Sequence, residues 1–268
     1  MKLTFLGTSA GKPTKERNVS ALGLEFEGCG NWYLFDCGDG TQRQILQTSL
    51  SLAKLSAIFI THLHGDHYYG LPGLLSTKKL DASLNPMTIY GPRGIKEFLE
   101  IAIDASKERL GFALEIIEYE YGDEFVFDKF SLKVLPLVHS KESAAFYVRE
   151  TAGRKLIIAG DNAEPDVLGD YLQNIDLLVH ECTFTQETYD NLKKKFLHTT
   201  AKVLGVTAQK RGVKNLIANH VSPRYDNNDD LNVSTLRDEL KFHYEGNFFI
   251  AKDFDVYHLD KDGLLSIE

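Results

Sequence analysis

AIFITHLHGDHYYG, residues 57–70, decides the reading of this chain: a strand that opens into a loop crowded with ionisable side chains. AIFI is a short apolar run of the kind that fills a core on both sides, and the strand reading extends over 57–62. Side chains repeat every two residues in extended chain, so His62 and His64 face the same way. Gly65 permits a sharp turn, after which Asp66 and His67 can face a second point a few ångströms off. Imidazole and carboxylate both suit zinc, with bonds of about 2.0–2.2 Å. Three His and one Asp in six residues are too dense for a polar loop without a role.

One loop cannot complete two metal shells, so further ligands must come from elsewhere. His139 closes VLPLVHS, Asp161 closes KLIIAGDN and His220 closes NLIANHVS. Each ends an apolar strand, and α/β proteins gather their sites in a crevice at such ends. Alone, a strand-end His reads as a hydrogen-bonded structural group and Asp161 as a turn residue. Together with the 62–67 cluster, all three read as ligands.

Outward from this segment, strand-like and helix-like runs alternate. KLTFL (2–6), 19–26, 31–37, MTIYG (87–91), FSLKVLPLVH (130–139), 155–161, 176–181 and 215–220 read as strands, with a turn at Gly122-Asp123. Helices are expected over 40–48, 70–80, 93–106, 185–195, 199–211 and 232–244. The mixture predicts an α/β fold with two sheets packed face to face and helices outside. Gly and Pro fall between elements and no linker divides the chain, so residues 1–268 are expected to form a single domain.

Composition excludes several classes. Apolar residues at 43% and charged residues at 25%, with 16 Phe and 12 Tyr, describe a chain that buries a full core rather than a disordered one. No apolar run approaches the roughly 20 residues of a membrane helix, and the first residues read as a strand and turn rather than a signal peptide. A cytoplasmic protein without membrane contact is expected. Cys29, Cys37 and Cys182 form no CxxC pair and read as reduced thiols. The net charge of −8 argues against holding nucleic acid by bulk charge. GTSAG (7–11) has no following GK[ST], so no nucleoside triphosphate site is implied, although the Gly7-Thr8-Ser9 turn could line the crevice.

THLHGDH resembles the HxHxDH signature of the metallo-β-lactamase superfamily. The opening LTFLGTSAGKPTKERNVSAL is similar to the start of ribonuclease Z, the endoribonuclease that trims the 3′ end of precursor tRNA. PLVHS (136–140), AGDN (159–162), HECTF (180–184), HTTAK (198–202) and NHVSPRY (219–225) follow in that family's order. The resemblance implies a four-layer αββα sandwich and a metal-dependent phosphodiester hydrolase that uses two zinc ions, with manganese or another divalent metal as a substitute. It implies that His62, His64 and His139 bind one ion, that Asp66, His67 and His220 bind the other, and that Asp161 bridges them. The nucleophile is then water, which Asp66 is placed to orient or deprotonate. It also puts Glu181 and His198 in a relay that delivers a proton to the leaving oxygen; a carboxylate fixes the tautomer of such a His and favours its charged form. His180 reads as a support behind the ligands, and His243 and His258 as structural or surface residues. Ser222, Arg224 and Tyr225 are candidates to hold phosphate oxygens. A homodimer is implied as well.

The chain departs from that family between His139 and Asp161. Ribonuclease Z enzymes usually carry a protruding tRNA-gripping arm there, but only 22 positions separate these residues here. Lys193, Lys194 and Lys195 are the best substitute patch, although a solvated helix face is their plainer reading. Precursor tRNA is therefore the expected substrate, with a small phosphodiester such as a cyclic nucleotide as the alternative. An acyl hydrolase is disfavoured by Glu181 and His198, and a non-catalytic RNA-binding protein by the complete ligand set.

Overall fold

The strands Lys155–Ala159, Leu177–Glu181 and Asn215–Asn219 have almost no polar face, and such strands persist only when both faces are covered. The computed structural model, which describes residues 1–80, 85–107, 109–226 and 231–268, shows how. Leu156, Ile158, Leu177 and Val179 face a core shared with Leu3, Phe5, Tyr33, Phe35 and Phe59 of a second sheet. The alternate residues Ile157, Leu178 and Leu216 face outward onto helices Ala201–Arg211 and Val233–His243, meeting Leu204, Ala208, Leu236 and Leu240. On the opposite outside, helices Leu71–Leu80 and Ile95–Ser106 cover the other sheet through Leu71, Leu74, Ile95 and Leu99. The layers are therefore helix, sheet, sheet and helix, the αββα sandwich of the metallo-β-lactamase fold. Each fully buried large apolar side chain contributes about 1.5–3 kcal/mol relative to staying in water, so the inter-sheet core is the main force holding the layers.

Both sheets are mixed. One runs in space Leu265–Ile267, Val256–Leu259, Lys2–Gly7, Ala21–Glu25, Trp32–Phe35, Leu55–Phe59, Met87–Gly91, Leu114–Glu118. The other runs Asn247–Ile250, Asn215–Asn219, Leu177–Glu181, Lys155–Ala159, Ala144–Glu150, Phe130–Pro136, Glu124–Val126. Trp32–Phe35 and Leu55–Phe59 are parallel, as are Lys155–Ala159, Leu177–Glu181 and Asn215–Asn219. Parallel pairing brings the carboxyl ends of these strands to one edge, where the ionisable residues follow them.

One helix is shorter than expected, and the C-terminus adds strands that the sequence reading did not include. The helix expected over 185–195 is only Gln186–Asp190. Lys195 turns back, its ammonium bonding the Tyr189 carbonyl oxygen and lying 4.7 Å from the Tyr189 ring, so the lysine run forms an exposed loop and not a helix face. At the C-terminus, Asn247–Ile250 extends the sheet that carries Asn215–Asn219, and Val256–Leu259 crosses over to pair antiparallel with Lys2–Gly7. The three cysteines are free, and burial pushes the thiols of Cys37 and Cys182 far up, which keeps them unreactive. Among the described residues, no helix is long and apolar enough to cross a membrane.

Candidate metal centre

After Phe59 the chain stays extended through His64 (φ −92°, ψ 141°) and then enters the short helix Gly65–Tyr68. Gly65 has no unusual backbone angle; a Cβ there would lie 2.3 Å from the exposed Tyr69 ring, which would have to move aside. At Gly160 a Cβ would come within 2.6 Å of the Thr61 side chain where Asp161 leaves its strand. His220 (φ 54°) and Asp36 (φ 57°) both occupy the left-handed region, a strain of about 1–3 kcal/mol each that surrounding contacts must hold.

The ligand-type atoms fall into two groups that share Asp161. His64 Nδ1 lies 3.0 Å from His62 Nε2 and 3.1 Å from His139 Nε2. Both of those Nε2 atoms lie 3.6 Å from Asp161 Oδ2. The other carboxylate oxygen, Oδ1, lies 3.4 Å from His67 Nε2 and 3.3 Å from His220 Nε2, and these lie 3.4 and 3.3 Å from Asp66 Oδ2. Donors around a tetrahedral ion with bonds of about 2.0–2.1 Å stand about 3.3–3.4 Å apart, so both spacings suit a shared ion. His67 Nε2 is buried with no hydrogen-bond partner among the described residues, as a donor aimed at a cation would be.

Electrostatics point the same way. Burial, reinforced by neighbouring imidazoles, lowers the pKa of His62, His64 and His139 and keeps them in the neutral form that ligates. Burial opposes ionisation of Asp66 and Asp161, yet the surrounding histidines hold both carboxyls below the usual range. His67 is the counterpart: burial lowers its pKa, but Asp161, Asp66 and Asp36 together raise it well above the ordinary value. A cage this rich in buried carboxylate calls for positive charge. These residues offer the donor set that a divalent metal takes.

The outward nitrogens of His62, His67, His139 and His220 meet partners that orient these rings, as ligating histidines require. His139 Nδ1–H donates to the Leu197 carbonyl oxygen at 2.7 Å, and His62 Nδ1 and His220 Nδ1 meet the hydroxyls of Thr61 at 3.1 Å and Thr183 at 3.3 Å. His67 Nδ1 meets Asp36 Oδ2 at 2.7 Å, and the Thr61 backbone N–H donates to the other oxygen of Asp36 at 2.8 Å. Asp36 is a functional residue that sequence reasoning missed. It ends the apolar run WYLF, the signal that marks the ligands, but it has no histidine near it in sequence. Asp36→Asn should weaken metal binding about 10- to 100-fold by chelator competition, and unchanged affinity would remove Asp36 from this role.

His198 stands at the rim. Its Nδ1 lies 3.0 and 3.1 Å from the Glu181 oxygens but 3.9 Å from Asp161, so it pairs with Glu181 although it could also be grouped with Asp161 and His220 around an ion. Glu181 is held by the Thr183 hydroxyl at 2.5 Å and the Asn162 N–H at 2.7 Å. Burial pulls the pKa of His198 down, but Glu181, with help from Asp161 and Asp66, raises it to about 9, which favours the charged form of the ring. His180 is buried behind the cage: Nδ1–H donates to the Glu181 carbonyl oxygen and Nε2 accepts from Asn162. Ser222 and the exposed Arg224 line a groove beside His198, with Arg224 5.7 Å from the Phe184 ring. Tyr225 does not join them. The turn Pro223–Tyr225 rotates it inward, where its buried hydroxyl accepts from the Thr185 N–H at 2.8 Å, so it cannot hold a phosphate oxygen. Thr8 and Ser9 are buried too; the wall is instead Ala10, Gly11 and Lys12, and the Gly11 N–H donates to Asp66 Oδ2 at 2.8 Å. His258 is at the surface near Glu268, and His243 ends a helix.

A histidine and aspartate cage at the strand ends of an αββα sandwich, with a carboxylate-held histidine at its rim, defines a metal-dependent hydrolase of the metallo-β-lactamase fold. The family model described as anti-Pycsar protein Apyc1 matches residues 1–251. A ribonuclease Z of Pseudomonas putida (strain W619) is 34% identical over 315 aligned positions that cover 99% of this chain and 98% of that enzyme. The ribonuclease Z of Bacillus subtilis (strain 168) is 33% identical over 87% of this chain and 92% of its own length. Among solved structures, the short form of human tRNase Z superposes with a TM-score of 0.79 at 32% identity, over 97% of this chain and all of that one. The chain belongs to the ribonuclease Z family of metal-dependent hydrolases and to the family described by the Apyc1 model.

Proposed function

We propose that this protein is a phosphodiesterase that removes the 3′ trailer of precursor tRNA. The observation that carries this reading is His198, held by Glu181 at 3.0 and 3.1 Å beside the metal cage, because a phosphodiester with a poor leaving group needs a proton at its leaving oxygen. The metal ligands are His62, His64 and His139 on one side and Asp66, His67 and His220 on the other, with Asp161 shared. Two zinc ions are the natural occupants of such N- and O-donor sets, with manganese or another divalent ion as a substitute. Bound there, they would supply Lewis acidity and make water at the site easier to deprotonate at neutral pH. Asp66 orients that water or takes its proton. Ser222 and Arg224 hold the non-bridging phosphate oxygens. His198 Nε2 donates to the leaving oxygen while Glu181 fixes the ring. The protein works in the cytoplasm as one domain over residues 1–268, in a homodimer like that implied by the family.

A second reading, hydrolysis of a small phosphodiester such as a cyclic nucleotide, is favoured by the missing arm. Between His139 and Asp161 the chain forms only the hairpin of Ala144–Glu150 and Lys155–Ala159. The 315 positions of the Pseudomonas alignment exceed the 268 residues of this chain by 47, so at least that many positions of that enzyme have no counterpart here. The net charge of −8 repels a polyanion rather than steering it, and the matched family model is not described as a ribonuclease Z.

Parallel measurement of kcat/KM on a 3′-extended precursor tRNA and on a 3′,5′-cyclic nucleotide separates the two. The tRNA reading expects cleavage at the trailer, with a KM that rises steeply with salt because few phosphate contacts remain. Efficient turnover of the cyclic nucleotide with no tRNA cleavage at any salt would replace it with the second reading.

A further inference from the structure

Two grooves meet at His198. One lies over the cage and is lined by Tyr69, Asp66, Asp161 and His220. The other, open and about 580 Å³ in volume, is lined by Phe184, Phe196, Ser222, Arg224 and Lys12 and includes none of the cage residues. This size suits a small ligand group.

Position gives the second groove its meaning. His198 hands its proton to the leaving oxygen, so whatever that oxygen carries lies on the His198 side. The walls are aromatic and cationic. Phe184, 3% exposed, forms the floor, with its ring 6.2 Å from that of His198. Phe196 is 42% exposed at the rim. Its backbone is anchored, because its carbonyl oxygen accepts from the Tyr189 hydroxyl at 2.9 Å and the next carbonyl, of Leu197, accepts from His139 at 2.7 Å. An exposed aromatic on a fixed backbone, with the Lys194 ammonium 5.7 Å from its ring and Arg224 and Lys12 lining the same groove, is the pattern on which unstacked nucleobases lie.

We propose that this groove binds the nucleobase of the nucleoside that carries the leaving oxygen, with Phe196 as its stacking face, and that Phe196 therefore sets the preference for base-bearing over base-free phosphodiesters. The proposal rests on the phosphodiesterase reading above. In the reaction, a water oxygen bonds to phosphorus, the bond from phosphorus to the leaving oxygen breaks, and the proton of His198 passes to that oxygen. The base-bearing alcohol is then left in the groove.

The test uses the metal-loaded full chain and three dinucleotide phosphodiesters: one with both bases, one abasic on the leaving side, and one abasic on the other side. Removing the leaving-side base should lower kcat/KM about 10- to 100-fold, and removing the other base should matter far less. In Phe196→Ala that penalty should collapse, and in Phe196→Trp it should return. An equal loss by Phe196→Ala on all three substrates, or a penalty tied to the other base, would overturn the proposal. Isothermal titration of adenosine monophosphate and of ribose 5-phosphate keeps this test apart from the underlying reading. If no dinucleotide is cut, the phosphodiesterase reading fails, and base-dependent affinity that Phe196→Ala abolishes still supports the groove, whereas equal affinities overturn it.

Discussion

Asp161→Ala should purify with about one metal ion per chain or fewer, against about two for the parent. Among the described residues, Asp161 is the only one whose two oxygens face both donor groups: Oδ2 faces His62 and His139, while Oδ1 faces His67 and His220. Its loss removes a donor from each side and leaves two cations unscreened from one another. Hydrolysis should fall to background on every phosphodiester, because both the activated water and the charge stabilisation depend on the ions. Elemental analysis after desalting reads the first effect and a chromogenic aryl phosphodiester the second. Unchanged stoichiometry would show that Asp161 is not shared.

His198→Ala should have the opposite signature: metal retained, turnover lost. A positioned general acid contributes about 10²–10⁴-fold. The loss should be of that size on a dinucleotide or tRNA, whose alkoxide needs a proton, and much smaller on a nitrophenyl ester, whose phenolate leaves without one. The distances that pair His198 with Glu181 and hold it back from Asp161 are the reason metal content should not move. An equal loss on both classes of substrate, or loss of metal, would place His198 in the cage.

The parts of the fold written in strong local patterns were legible in the sequence. AIFI running into THLHGDH announced both a buried strand and the loop at its end, and the strands before His139, Asp161 and His220 were plain because they are apolar on both faces. Less of the pattern reached the C-terminus. VYHL alternates, with Tyr257 and Leu259 buried and His258 exposed, yet its partner is Lys2–Gly7, some 250 residues away in sequence, and local pattern cannot name such a partner. The helix expected to run to residue 195 stops at Asp190 because Lys195 folds back onto Tyr189, a tertiary contact that overrides local helix preference. Within the site, spacing exposed the histidines, but Asp36 and Thr183 act through His67 and His220, rings distant from them in sequence, and no local spacing pairs them. Tyr225 illustrates the converse, since closeness to His220 in sequence suggested a shared role that the Pro223–Tyr225 turn reverses.

The most direct measurement of the metal assignment is anomalous diffraction at the zinc edge from crystals of zinc-loaded protein. The account predicts two peaks about 3.5–4 Å apart, one among His62, His64 and His139, the other among Asp66, His67 and His220, with Asp161 between them and His198 bound to neither. One peak, or a peak ligated by His198, would contradict it.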